Sequence, residues 1–164
     1  IVTREGKSIR FAEENVRAMG RTASGVRGIR LKEEDRVVEV DILHPEEESK
    51  LLVVMENGLG KQSKVEQYRL QTRGGTGVKV ANLTKKTGKV AGARVIRPDM
   101  TGDLLLVTRN GQTLRTPLEH IKTSGRATQG VILMKSKGDN VSSISLIVDS
   151  EIEEDEAEAT KATT

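Results

Sequence analysis

The chain has 164 residues, 27 Lys and Arg against 24 Asp and Glu for a net charge of +3, and only two aromatic side chains, Phe11 and Tyr68. It contains no cysteine, which excludes disulfides and thiolate metal sites, and its two histidines, His44 and His120, lack any HExxH-type spacing. No apolar run approaches the ~20 residues a membrane-spanning helix needs, so a soluble intracellular protein with no membrane partner is expected.

Taken in chain order, the first predicted element is a strand that starts abruptly in "IVTREG" and turns at Gly6. A single turn of helix is expected near "AEENV" (12–16). "RTASGV" (21–26) then leads into the strands "VRGIRL" (26–31) and "RVVEVDIL" (36–43). The second unit opens with "LLVVMENG" (51–58), passes through "RGGTGV" (73–78), and continues with the strands "VKVANL" (78–83) and "KVAGARVI" (89–96). In the third, "LLLVTRNG" (104–111) is followed by "RATQGV" (126–131), "VILMKS" (131–136) and "NVSSISLIV" (140–148). Asn-Gly between apolar runs signals a two-residue type I′ hairpin, in which both central residues have positive φ.

These are one pattern three times. The turn glycines Gly6, Gly58 and Gly111 recur after 52 and then 53 residues. Each is followed at +15 by an arginine (Arg21, Arg73, Arg126) and at +19 by a Gly-Val pair. A period near 50 with about four short strands per unit predicts an all-β fold of propeller-like blades, with repeats at about 1–49, 50–103 and 104–148. Because the first unit begins inside a strand, and residue 1 is Ile, the chain is expected to be a piece of a longer one. Residues 149–164 carry seven acids between Asp149 and Glu158 and predict a disordered acidic tail of about −6, leaving a body of about +9. Such a tail could fold back on the basic body and compete with a polyanion.

No nucleotide loop is present: "RGGTGV" fits neither GxxxxGK[ST] nor GxGxxG, and "GLGKQS" (58–63) has Gln where the P-loop hydroxyl belongs. The recurring bases carry more information. Four residues past the turn glycine stand Arg10, Gln62 (with Lys61 beside it) and Arg115; eleven past, Arg17, Arg69 and Lys122; fifteen past, Arg21, Arg73 and Arg126. Stacked blades would align these as basic stripes able to follow a phosphate backbone. With almost no aromatics to stack single-stranded bases, duplex DNA bound without sequence reading is the expected partner. Tyr68 takes the slot of Val16 and Ile121 and is expected as a core or half-buried strand residue; His120 is expected in a loop or surface role. No catalytic constellation is discernible.

"GKSIRFAEENVRAMGRTASGVRGIRL" (6–31), "NGLGKQSKVEQY" (57–68) and "GRATQGVILMK" (125–135) resemble the C-terminal domain of the DNA gyrase A subunit, over residues 1 to about 148. The resemblance implies a β-pinwheel, a propeller-like disc whose blades exchange strands. It further implies a role in wrapping DNA within a type IIA topoisomerase that introduces negative supercoils. Its partners would be the rest of the A subunit, together with a B subunit, in an A2B2 assembly in the bacterial cytoplasm and on the chromosome. ATP and Mg2+ would be used through the B subunit, and this chain itself would carry no cofactor and no catalytic residue. The family's box, QRRGGKG, is matched by "QTRGGTG" (71–77) at Gln71, Arg73, Gly74, Gly75 and Gly77, with Thr72 and Thr76 replacing two bases. It is read as a degenerate copy in a later blade. The homologous domain of topoisomerase IV and a propeller serving as a protein-interaction scaffold are the alternatives.

Overall fold

The computed structural model describes residues 1–135 and 137–148; the predicted acidic tail lies outside them. The first unit forms β1 (Val2–Thr3), β2 (Lys7–Ser8) and β3 (Val37–Glu39). The second forms β4 (Lys50–Met55), β5 (Leu59–Lys64), β6 (Val78–Lys79) and β7 (Val90–Ile96). The third forms β8 (Gly102–Thr108), β9 (Thr113–Pro117), β10 (Val131–Ile132) and β11 (Val141–Val148). Their sheets run β3-β1-β2-β6, β10-β5-β4-β7 and, among the described residues, β11-β8-β9, with every pairing between these strands antiparallel and isolated parallel bridges at Arg10–Leu70 and Gln62–Thr123.

The sheets do not coincide with the repeats. β6, from the second unit, closes the first sheet on β2, with Ser8 opposite Val78. β10, from the third, closes the second sheet on β5, with Val131 opposite Gly60. Strand exchange of the kind the resemblance implies is therefore present at both junctions. Val26 and Arg27 occupy the equivalent place in the first unit but form no strand, contrary to the sequence reading. Among the described residues no strand pairs with them. "RVVEVDIL" likewise yields only Val37–Glu39, because its partner β1 is two residues long; Val40 and Ile42 beyond it are exposed.

The hairpins also differ from the expected type I′ turns. Glu56 and Asn57 have negative φ, and only Gly58, at +81°, is left-handed. The Gly58 amide donates to the Met55 carbonyl at 3.0 Å, making a turn closed by a glycine bulge, and Gly6 and Gly111 repeat the bond to Thr3 and Thr108. Asn57 acts through its side chain instead: Nδ2 donates to the carbonyls of Lys85 and Lys86, and Oδ1 accepts from Asn140. A 3₁₀ turn follows the second strand in every unit, at Glu13–Asn15, Val65–Gln67 and Leu118–His120, though the sequence signalled only the first.

β4 explains how the blades stack. Its residues are buried on both faces, which is why "LLVVM" reads as a continuous apolar run rather than an alternation. Leu51, Val53 and Met55 join Val2, Tyr68, Val80 and Val95 in one core; Leu52 and Val54 join Leu104, Leu106, Leu118 and Ile121 in another. The middle sheet is thus packed between its neighbours. Arg4 and Glu56 tie the first two hairpin tips together by an ion pair of 2.6 Å. Tyr68 is buried as expected, its hydroxyl 2.7 Å from Ser63 Oγ, and burial pushes its phenol pKa up.

Candidate nucleic-acid interface

The three basic rows separate into different environments. Arg17, Arg69 and Lys122 are all exposed, two residues beyond the 3₁₀ turns. Among the described residues their side chains make no ion pair and no hydrogen bond. The backbone presents them at one register because residue +10 (Val16, Tyr68, Ile121) donates its amide back into the turn in every unit, at 2.8, 2.9 and 3.2 Å.

At +15, only Arg21 makes no side-chain bond among the described residues. Arg73 donates from Nε to the Asn15 carbonyl at 2.8 Å and from Nη1 to the Arg27 carbonyl at 3.2 Å. Arg126 repeats the gesture one unit on: Nη1 donates to the Lys79 carbonyl at 2.5 Å, and its amide donates to Gln67 Oε1 at 2.7 Å. Arg27 and Lys79 are equivalent residues, as are Asn15 and Gln67. Arg73 and Arg126 therefore each clamp their own unit to the preceding one while remaining partly exposed, and Arg21 makes no such bond among the described residues.

The +4 row is not uniform. Arg10 is half-buried, with Nη1 3.5 Å from the Tyr68 carbonyl. Gln62 is buried and donates to the Leu118 carbonyl at 2.9 Å. Arg115 is exposed but paired with Asp103. The neighbouring Lys61 corrects the sequence reading outright: its side chain is 0% exposed and faces the interior. The signal was available, since Lys61 holds the slot of the apolar Ile9 and Leu114. Desolvation, reinforced by the charge of Arg126, lowers its pKa to about 8.

The box-like stretch is an inter-unit joint. The Gln71 amide donates to the Arg10 carbonyl at 2.8 Å, the Gly74 amide to the Gly28 carbonyl at 2.6 Å, and the Gly75 carbonyl accepts from Arg30 at 2.8 Å. Gly77, at φ +72°, lies so close to the first unit that a Cβ would overlap the Ser8 carbonyl oxygen. Gly130, at φ +79°, meets the Gly60 carbonyl in the same way, at 2.5 Å. Gly-Val recurs because the donated strand must pass this close to its acceptor. Thr72 and Thr76 are exposed. Arg27 and Lys79, exposed bases two residues past the Gly-Val glycine, were missed by the sequence reading because the third unit has Ile132 at that register.

The family model described as "DNA gyrase C-terminal domain, beta-propeller" matches residues 1–44, 50–97 and 102–147, once per unit. The DNA gyrase A subunit of Thermotoga maritima is 42% identical over 142 residues, covering 87% of this chain and 17% of the relative. Its Staphylococcus epidermidis counterpart is 45% identical over 137 residues, covering 82% and 15%. The chain thus spans under a fifth of the length of these curated relatives. A solved DNA gyrase A C-terminal domain superposes with a TM-score of 0.73 at 30% identity, covering 89% of this chain and 49% of that one. The C-terminal domain of DNA topoisomerase IV does so at 0.81 and 24% identity, covering 90% and 45%, which speaks to the fold alone. Matched once in each of its three units, the chain belongs to the DNA gyrase C-terminal, beta-propeller domain family.

Proposed function

We propose that this chain is a duplex-DNA-binding part of a DNA gyrase A subunit, holding and bending DNA through phosphate contacts while strand cleavage and ATP hydrolysis take place elsewhere in the enzyme. The observation that carries the reading is the row Arg17, Arg69 and Lys122, one exposed base per unit at the same register, unengaged among the described residues. Arg21, Arg27 and Lys79 extend it at neighbouring registers. A repeated charge without base-reading groups suits a uniformly charged polymer, whose phosphates pass every ~1.7 Å of duplex axis. In the whole enzyme the bent duplex would be delivered for strand passage that adds negative supercoils, with ATP and Mg2+ used by a B subunit in an A2B2 assembly in the bacterial cytoplasm. The relatives, gyrase A subunits by name, favour this over a topoisomerase IV role.

The test is the salt dependence of duplex binding. Each neutralised phosphate contributes about −0.9 to the slope of log K against log salt, so replacing Arg17, Arg69 and Lys122 by Gln together should flatten it by roughly 2–3. Affinity should fall alike on unrelated sequences. An unchanged slope would remove this row from the interface.

A further inference from the structure

The second and third units are joined by a device that the first junction lacks. Lys61 reaches from β5 into the loop before β10, where its Nζ donates to the carbonyls of Gly125 at 2.8 Å and Arg126 at 2.5 Å and lies 3.3 Å from Thr128 Oγ1. An ammonium has three donors, and three acceptors converge on it. No carboxylate pairs with it among the described residues. The loop is also folded on itself, with the Thr128 hydroxyl donating to the Gly125 carbonyl at 2.8 Å and lying 2.9 Å from Ser124 Oγ. The Arg126 carbonyl, by contrast, accepts from no other donor among the described residues.

At the first junction the same place is held by Ile9, which faces Gly75; a Cβ added there would lie 3.5 Å from Ile9 Cδ1. The backbone bonds are shared: Gln71 to Arg10 at one junction matches Ser124 to Gln62 at the other, at 2.8 and 2.9 Å. One junction is filled by hydrocarbon and the other is pinned by a buried cation. A residue needed only for volume could be Ile or Leu, as in the sister units. Burial of a charge is tolerated only where the acceptors are supplied, and acceptors turned inward need a donor in return.

We propose that Lys61 is a positioning residue: it fixes the loop 124–128 of the third unit, and the flank that bears Arg126 and Lys122, against the second unit. The DNA consequence rests on the function proposed above; the structural consequence does not. In the full chain, Lys61→Met keeps the volume and removes the donors. Amide exchange at Ser124, Arg126 and Thr128 should then accelerate by about tenfold or more, the scale of losing a charge-assisted hydrogen bond from an opening equilibrium. Gln71 and Gly74, at the first junction, should be unaffected. Exchange at the loop unchanged within about twofold would overturn the proposal, since a space-filling residue predicts that. Should the variant fail to fold, acylation of the intact chain followed by mass spectrometry decides instead. Lys61 should react at least about tenfold more slowly than the exposed Lys64, and equal rates would overturn its role. Duplex binding is read separately: faster loop exchange with an unchanged salt slope upholds the positioning role and removes this loop from the DNA contact.

Discussion

The three arginines at +15, identical in sequence position, should respond to mutation in two different ways. Arg73→Gln removes two donors from carbonyls of the preceding unit, at 2.8 and 3.2 Å. Hydrogen bonds to a charged partner contribute ~1.5–3 kcal/mol each when fully buried. Arg73 is half-exposed, and water can replace part of what is lost, so ~1–2 kcal/mol in total is the reasonable scale. For a body of this size that corresponds to a fall in Tm of roughly 3–6 °C. Arg21→Gln breaks no bond among the described residues and should stay within ~0.5 kcal/mol of the parent. Duplex binding reverses the order: Arg21→Gln should flatten the salt slope by about 0.9, and Arg73→Lys, which keeps the charge but not the fork, should leave it nearly unchanged while still lowering Tm. Calorimetry and a salt titration of DNA binding on the same samples supply both readings. Equal Tm losses for Arg21→Gln and Arg73→Gln would refute the clamp.

Further outcomes follow from the same joints. Lys61 keeps its proton in the unfolded chain up to its ordinary 10.5 but releases it near pH 8 when folded, so stability should rise with pH between those values. Denaturant midpoints from pH 7 to 10 check this, and Lys61→Met should abolish that rise. Burial pushes the Glu56 carboxyl up, but the hydrogen bonds from Arg4 and the Lys89 amide, with the charges of Arg4 and Arg109, outweigh it and hold the pKa below 4.5. Its stabilisation is therefore present above pH 4.5 and should fade as pH falls through the folded value, and Glu56→Gln should remove that acid-limb sensitivity in an acid titration of unfolding. Gly130→Ala brings a Cβ against the Gly60 backbone at positive φ and should cost at least ~3 kcal/mol in urea unfolding, whereas Gly25→Ala meets nothing within 4 Å and should cost only the ~1–2 kcal/mol of a left-handed alanine.

The repeat was legible because spacing survives when composition drifts: Gly6, Gly58 and Gly111, and the Gly-Val pairs, mark positions where backbone geometry or close approach tolerates little else. The exposed row Arg17, Arg69 and Lys122 was legible for the same reason. Partners were not, since a register gives a residue's place within its unit and not the neighbour it meets in the next. The arginines at +15 look like Arg17 in sequence, yet two of them are occupied by carbonyls that belong to no motif. Lys61 was misplaced because its charge outweighed its slot; comparison with Ile9 and Leu114 pointed inward, as the same comparison did for Tyr68. Asn57 was credited with a backbone conformation it does not adopt, and its amide's bonds to Lys85, Lys86 and Asn140 span 28 to 83 residues.

β6 and β10 sit in sheets whose other strands come from the unit before. The length of chain that would be copied in a gene duplication is therefore not the length that folds as a blade; the two periods are equal but offset. A newly inserted copy would arrive owing a strand to its predecessor and needing one from its successor, so it could enter the row without leaving either neighbour incomplete. Removing a copy would likewise heal the row, provided the cut falls at the same phase in both places. A family built this way could change its number of blades one whole period at a time.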